Sequence, residues 1–232
     1  MKNITFLLLA FLIISCSEKQ HDLIVKGHIK DLKKGTIYLK RISDSTLVTV
    51  DSLVINGNSQ FELQSDLESP EIFFLDLDKN SSEEDRIAFF ADKGITEINT
   101  TLKNFVFDAK INGSEQQKTL EEYKAIMSRM NHRNLDLIKE RFEAHKSNDT
   151  AKIKELDKES ENSLKRRYLY TVNFALNNKD SEVAPYLALS EIYNARINFL
   201  DTINNSLTPK VKNSKYGKEL QLFIDKIKAS EK

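Results

Sequence analysis

Apolar and polar positions alternate with two different periods along the chain. From residue 23 to residue 111 the period is close to two. Leu23, Val25 and Ile29 alternate with Ile24, Lys26 and Lys30, the pattern of a half-buried strand. Further strands are expected at residues 36–40, 47–55, 60–64, 72–75, 86–91, 95–100 and 105–111. Residues 72–75 (IFFL) are apolar on both faces and read as a central strand. Asn56-Gly57 reads as a hairpin turn, because both residues tolerate positive φ, and Lys93-Gly94 as another tight turn. About eight short strands at even spacing, with no helix between them, predict an antiparallel sandwich or barrel rather than a parallel doubly wound sheet.

After Gly113 the period becomes helical. Ser114 is a candidate N-cap, and Leu120, Tyr123, Met127 and Met130 make one stripe that Leu135, Ile138 and Phe142 continue with a phase shift. Ser147-Asn148-Asp149 interrupts the pattern, and Ile153, Leu156, Leu164, Tyr168, Val172 and Ala175 form a second stripe. Two long helices with a short polar link predict an antiparallel hairpin whose outer faces are rich in Lys, Glu and Arg. Ser181 is expected to cap a further helix with Val183, Tyr186, Leu187 and Ile192 inward. Thr208-Pro209 marks a helix start, and Ser214 is expected to cap a last helix with Leu220, Phe223, Ile224 and Ile227 inward. The fold class is therefore α+β, with a β-domain at 23–113 and an all-helical region built on a long hairpin at 114–232.

The first sixteen residues have another character. Lys2 precedes an apolar run at 4–14 broken only by Thr5, which is too short to span a bilayer but suits a signal-peptide core. It ends Leu12-Ile13-Ile14-Ser15-Cys16, which resembles the bacterial lipoprotein box. That resemblance implies cleavage before Cys16, a signal peptide at 1–15, and lipidation of Cys16 as the membrane anchor. Two or more acyl chains anchor stably where one does not. Residues 16–22 then read as a tether. Ser17 stands where an Asp would resemble an inner-membrane retention signal, so the expected location is the cell envelope, at the outer membrane.

Composition narrows the chemistry. The 232 residues hold 35 basic and 35 acidic side chains, one cysteine and no tryptophan. Zero net charge gives no electrostatic footprint for nucleic acid. One cysteine cannot form an internal disulfide, a Cys-x-x-Cys redox pair or a cysteine-based zinc cluster.

Several short motifs together resemble a known family. Val25-Lys26-Gly27-His28-Ile29, Gly35-Thr36-Ile37-Tyr38-Leu39, Asp51-Ser52, Asn56-Gly57 and Phe61-Glu62-Leu63 occur in order. So do residues 89–94 (FFADKG) and Ile111-Asn112-Gly113-Ser114. They resemble the uncharacterised N-terminal β-domain of Bacteroidetes-type thioredoxin-like lipoproteins. Ser181-x-Val183-Ala184-x-Tyr186, Leu207-Thr208-Pro209 and Ser214-x-Tyr216-Gly217 resemble that family's helical part. The family's thioredoxin-like domain, with Cys-x-x-Cys, would begin about where this chain stops. No family catalytic residue has a counterpart here, since thiol exchange needs a thiolate and a resolving partner.

The remaining candidates have plain alternatives. His21, His28, His132 and His145 are scattered without zinc spacing. Asp76-x-Asp78-x-Asn80 starts like a calcium loop, but Ser81 and Ile87 stand where Gly and Glu are needed. Tyr168 and Tyr170 beside Arg166-Arg167 could hold an anion, though helix packing explains them more simply. Asp44-Ser45-Thr46, Asp51-Ser52-Leu53, Asp149-Thr150-Ala151 and Asp201-Thr202-Ile203 resemble an O-glycosylation motif, yet Asp and Ser also cluster in turns. No catalytic residue, metal ligand or cofactor is expected. The expected function is a lipid-anchored envelope module that binds or scaffolds an envelope protein. The alternative is an accessory part of a thioredoxin-like oxidoreductase that lacks its redox domain.

Overall fold

A computed structural model describes residues 21–78, 80 and 82–230. The lipoprotein-like segment, Cys16 and most of the tether lie outside the described residues. Eight strands come first: β1 (Leu23–Lys30), β2 (Lys34–Ser43), β3 (Thr46–Asn56), β4 (Gln60–Ser65), β5 (Glu71–Asp76), β6 (Ile87–Ala91), β7 (Gly94–Thr101) and β8 (Lys110–Asn112). They form two four-stranded sheets, ordered β4-β1-β7-β8 and β3-β2-β5-β6. The alternating inward residues meet in one core that includes Leu23, Val25, Ile37, Leu39, Phe61, Phe73, Phe89 and Ile98. This is a sandwich and not a closed barrel, and the α+β class is as expected.

Three strand-level expectations need correction. The pairs are not all antiparallel, because β1 and β7 run parallel through eight residues. The chain reaches β7 from the other sheet, so no hairpin dictates its direction. Asn56-Gly57 and Lys93-Gly94 are accordingly corners between sheets, not hairpin turns: β3 and β4, like β6 and β7, belong to different sheets. Gly57 has φ +90° and donates its N–H to the Lys33 carbonyl, while Asn56 stays extended. The two-residue hairpin lies elsewhere. Asp44 and Ser45, with φ of 47° and 66°, link β2 to β3 as a type I′ turn would. Finally, residues 102–108 are turns, and only Lys110–Asn112 pairs as a strand.

Six helices follow: α1 (Glu115–Lys146), α2 (Thr150–Asn177), α3 (Val183–Ser190), α4 (Ile197–Ser206), α5 (Pro209–Lys212) and α6 (Lys215–Ser230). Ser114 caps α1 by accepting from the Gln117 amide, and Asp149 caps α2 by accepting from the Lys152 amide. The α1–α2 hairpin is antiparallel as expected. Ser181 Oγ accepts from the Val183 amide at the entry to α3. Ser214 does not cap α6: its hydroxyl donates back to the Val211 carbonyl. Ser69, from the β-domain, accepts the Lys215 amide instead. Helix α4, with Leu200 and Ile203 fully buried, has no counterpart among the sequence expectations.

The helices lock onto the β5–β6 end of the second sheet. Phe73 and Phe89 point into the sandwich, so their neighbours Ile72 and Phe90 point outward and meet the helices. Phe90 lies edge-on to Tyr186 and Tyr216, with centroids 5.6 and 5.8 Å away. Backbone groups left over at the sheet end are met by helix side chains. Ile72 N–H donates to Tyr216 Oη at 3.0 Å, and Phe90 N–H to Gln117 Oε1 at 2.8 Å. Glu71, almost fully buried, pairs with Arg41 of β2 and Lys215 of α6, and Lys215 also donates to the Ile42 carbonyl. Such satisfied contacts argue for one rigid unit rather than two beads on a string.

Candidate functional site: the hairpin face and its cleft

The hairpin has two unlike halves. In the near half, Tyr123 of α1 is 1% exposed. Its hydroxyl donates to Thr171 Oγ1 at 2.8 Å, and its ring stacks on Tyr170 and meets Phe174 edge-on. Burial pushes the Tyr123 phenol up to about 12, so it stays neutral at any physiological pH. Leu120 and Met127 join Val183, Leu187 and Tyr216 in the same cluster. On α2, Val172 and Ala175 pack against α3, α4 and α6.

In the far half the same faces lose their cover. Ile138 follows Met127 by eleven residues and so returns to the same side of α1. Leu164 precedes Ala175 by eleven and shares its side of α2 in the same way. Leu135, Ile138 and Phe142 are 61%, 58% and 59% exposed, and Leu164 is 51% exposed. The sequence stripes placed these four residues inward; the structure leaves them in solvent, because nothing in α3 to α6 extends that far. The two helices touch there through a small cluster of Leu137, Ala144, Leu156 and Ile153. Exposed ion pairs flank it: Arg133 with Glu140 and Glu159, and Arg141 with Asp157.

A cleft opens where the near half passes into the far half. The α3–α4 connection, carrying Glu191, Tyr193 and Asn194, closes one wall, and α1 and α2 form the others. Tyr168 is half-buried here, its hydroxyl donating to Asn194 Oδ1 at 2.7 Å. Tyr170 points elsewhere, into the Tyr123–Phe174 cluster, which is the packing role expected for it. Arg167 lines the cleft, and Arg166 is not among its lining residues.

The other candidates are separate from this site. His21 bonds Asp66 at 2.9 Å, His28 lies on the outer face of the first sheet, and His132 reaches the cleft while His145 is exposed near the hairpin tip. Among the described residues no group of three His, Cys, Asp or Glu could hold a metal. The calcium-like loop is occupied from within: Asp76 is fully buried against the Lys40 ammonium at 2.5 Å, with Arg86 at 3.4 Å. Asp78 turns back to accept the Asn80 amide. The Asp residues of the Asp-Ser/Thr motifs all have structural work. Asp44 forms the hairpin turn, Asp51 accepts from the Ser52 and Gln64 amides, Asp149 caps α2, and Asp201 pairs with Lys228. Among the described residues no helix is long and apolar enough to cross a membrane.

The fold thus defines a two-sheet β-domain with a projecting helical hairpin clamped to one sheet. A family described as a domain of unknown function, DUF4369, matches residues 23–120, which covers both sheets and the first six residues of α1. No curated protein and no solved structure matches the chain.

Proposed function

We propose that the chain is a non-catalytic, lipid-anchored module of the bacterial cell envelope that binds or scaffolds a partner protein through the far half of its hairpin. The observation that carries this reading is the exposed stripe of Leu135, Ile138, Phe142 and Leu164. Leu135, Ile138 and Phe142 recur at helical spacing on one face of α1, Leu164 stands on α2 nearer the cleft, and none of the four belongs to the fold's own core. Grouped exposed apolar surface of this kind marks an interaction site, whereas single scattered residues do not. The rigid clamp at Glu71, Tyr216 and Gln117 suits a scaffold, since it fixes how the hairpin stands on the β-domain.

The anchor reading rests on Lys2, the apolar run and Ser15-Cys16. The ordered motifs along the chain support kinship with thioredoxin-like lipoproteins of Bacteroidetes type, and location at the outer membrane follows from Ser17. Metabolic labelling with a fatty acid tests the anchor: the wild type takes up label and Cys16→Ala does not. Equal labelling of the two would reject it. Crosslinking in intact cells tests the partner, with adducts expected to depend on the stripe.

A further inference from the structure

The cleft beside the stripe contains an arginine that the protein does not satisfy. Arg167 is half-buried, and its Nε is shielded from water with no hydrogen-bond partner. Its guanidinium forms no ion pair and no side-chain hydrogen bond among the described residues, whereas Arg133 and Arg141, farther along the hairpin, are both paired. A buried donor without an acceptor is costly, the more so when it is charged. A guanidinium presents five donors in a planar fork that suits two anionic oxygens.

The surroundings say what such an anion would carry. Two adjoining cavities, of about 390 and 200 Å³, share Met127, Arg167 and Glu191 as walls. The larger adds Lys124, Ser128 and Asn131, so a second cation and two hydrogen-bonding side chains face the same space. The smaller is lined on its far side by Leu164, Tyr168, Ile192 and Tyr193, with Thr171 and Asn194 adding polar groups, so apolar and polar surface share it about equally. Lys124 and Arg167 outweigh Glu191, and His132 faces the same space, so the cleft is net positive and suits a ligand with one anionic group.

We propose that this cleft binds a small organic anion, a carboxylate or phosphate monoester joined to an apolar group. Arg167 takes the anionic oxygens, with Lys124 as the second cation, and the apolar group enters the smaller cavity beside Leu164 and Tyr193. Leu164 borders both the stripe and the cleft, but ligand binding requires neither lipidation nor a bound partner, so either reading can fail alone.

Isothermal titration of the full chain tests the site with three probes. N-acetyl-phenylalanine supplies a carboxylate, phenyl phosphate supplies a phosphate, and N-acetyl-phenylalaninamide is the uncharged control. At least one anion is expected to bind saturably, and which one does so assigns the anionic group. The amide is expected to bind at least about tenfold more weakly, the equivalent of one charge-assisted hydrogen bond. Arg167→Met should weaken the anion by about tenfold or more. Lys124→Gln, at an exposed position, should weaken it by a smaller factor and reads the same charge dependence if Arg167→Met does not fold. The proposal is overturned if neither anion binds, if the amide binds as well as the acid, or if the folded variants bind undiminished.

Discussion

The near and far halves of the α1–α2 hairpin are made of the same two helices and are held by different forces. The near half buries Tyr123, Val172 and Ala175 against the β-domain and the small helices. The far half has one small apolar cluster and a ladder of exposed ion pairs. Exposed pairs contribute about 0–1 kcal/mol each, against 1.5–3 kcal/mol for burying one large apolar side chain. Hydrophobic side chains are present in both halves, but only the near half uses them for folding. In the far half they are left over, and that is what makes the far half the candidate binding surface.

Substitutions should separate the halves by size of effect. Tyr123→Ala, in the near half, removes a buried ring and its hydrogen bond to Thr171, whose hydroxyl still donates to the Arg167 carbonyl, and should cost about 3–5 kcal/mol in urea unfolding. A loss near 1 kcal/mol would mean that the near half is no better packed than the far half. Tyr216→Phe removes the acceptor from the Ile72 amide, which leaves a buried donor unmet and should cost about 1–3 kcal/mol.

Glu182, at the foot of the hairpin, gives a dependence on pH. Its carboxylate is 1% exposed, and its one cation, Lys210, is 4.0 Å away. Burial therefore raises its pKa above 4.5, so the folded chain holds the proton more tightly than the unfolded chain does. The stability that protonation brings is complete below the unfolded value and is lost as pH rises through the raised folded value. Glu182→Gln should be the more stable protein at neutral pH and lose that advantage on acidification. A constant difference across the pH range would contradict the assignment.

The smallest effects belong to the far half. Arg133→Ala should lower stability only slightly, and moderate salt should reduce the difference, because the guanidinium is exposed and its ion pairs are screened. The triple change Leu135→Gln, Ile138→Gln and Phe142→Gln should alter stability by only about 0.5 kcal/mol, since glutamine is a good helix former and these side chains are largely in water.

The same contrast explains what could be read from the sequence. Strand alternation, the hairpin and its Ser147-Asn148-Asp149 link are local, and periodicity shows them. Sheet membership is not local. Asn56-Gly57 has turn chemistry that serves a corner as well as a hairpin, and Asp44-Ser45 makes the true two-residue hairpin without a glycine to mark it. The helical stripe through Leu135, Ile138 and Phe142 correctly gives a face. Whether anything covers that face depends on how far α3 to α6 extend, which no spacing encodes. Helix α4 is missing from the sequence expectations, although Ile197, Leu200 and Ile203 carry its helical spacing. The cleft was half legible: Arg167 and Tyr168 stand out, but their environment is supplied by Glu191, Tyr193 and Asn194 from a separate connection.

The most direct test compares crosslinking in intact cells for the wild type and the Leu135/Ile138/Phe142→Gln protein, at equal expression and with unfolding midpoints measured on both. If the far face serves binding, the wild type gives a specific adduct that the triple variant loses while its stability stays within about 0.5 kcal/mol. An unchanged adduct, or a variant destabilised by several kcal/mol, would contradict the claim that the far face serves binding and not folding.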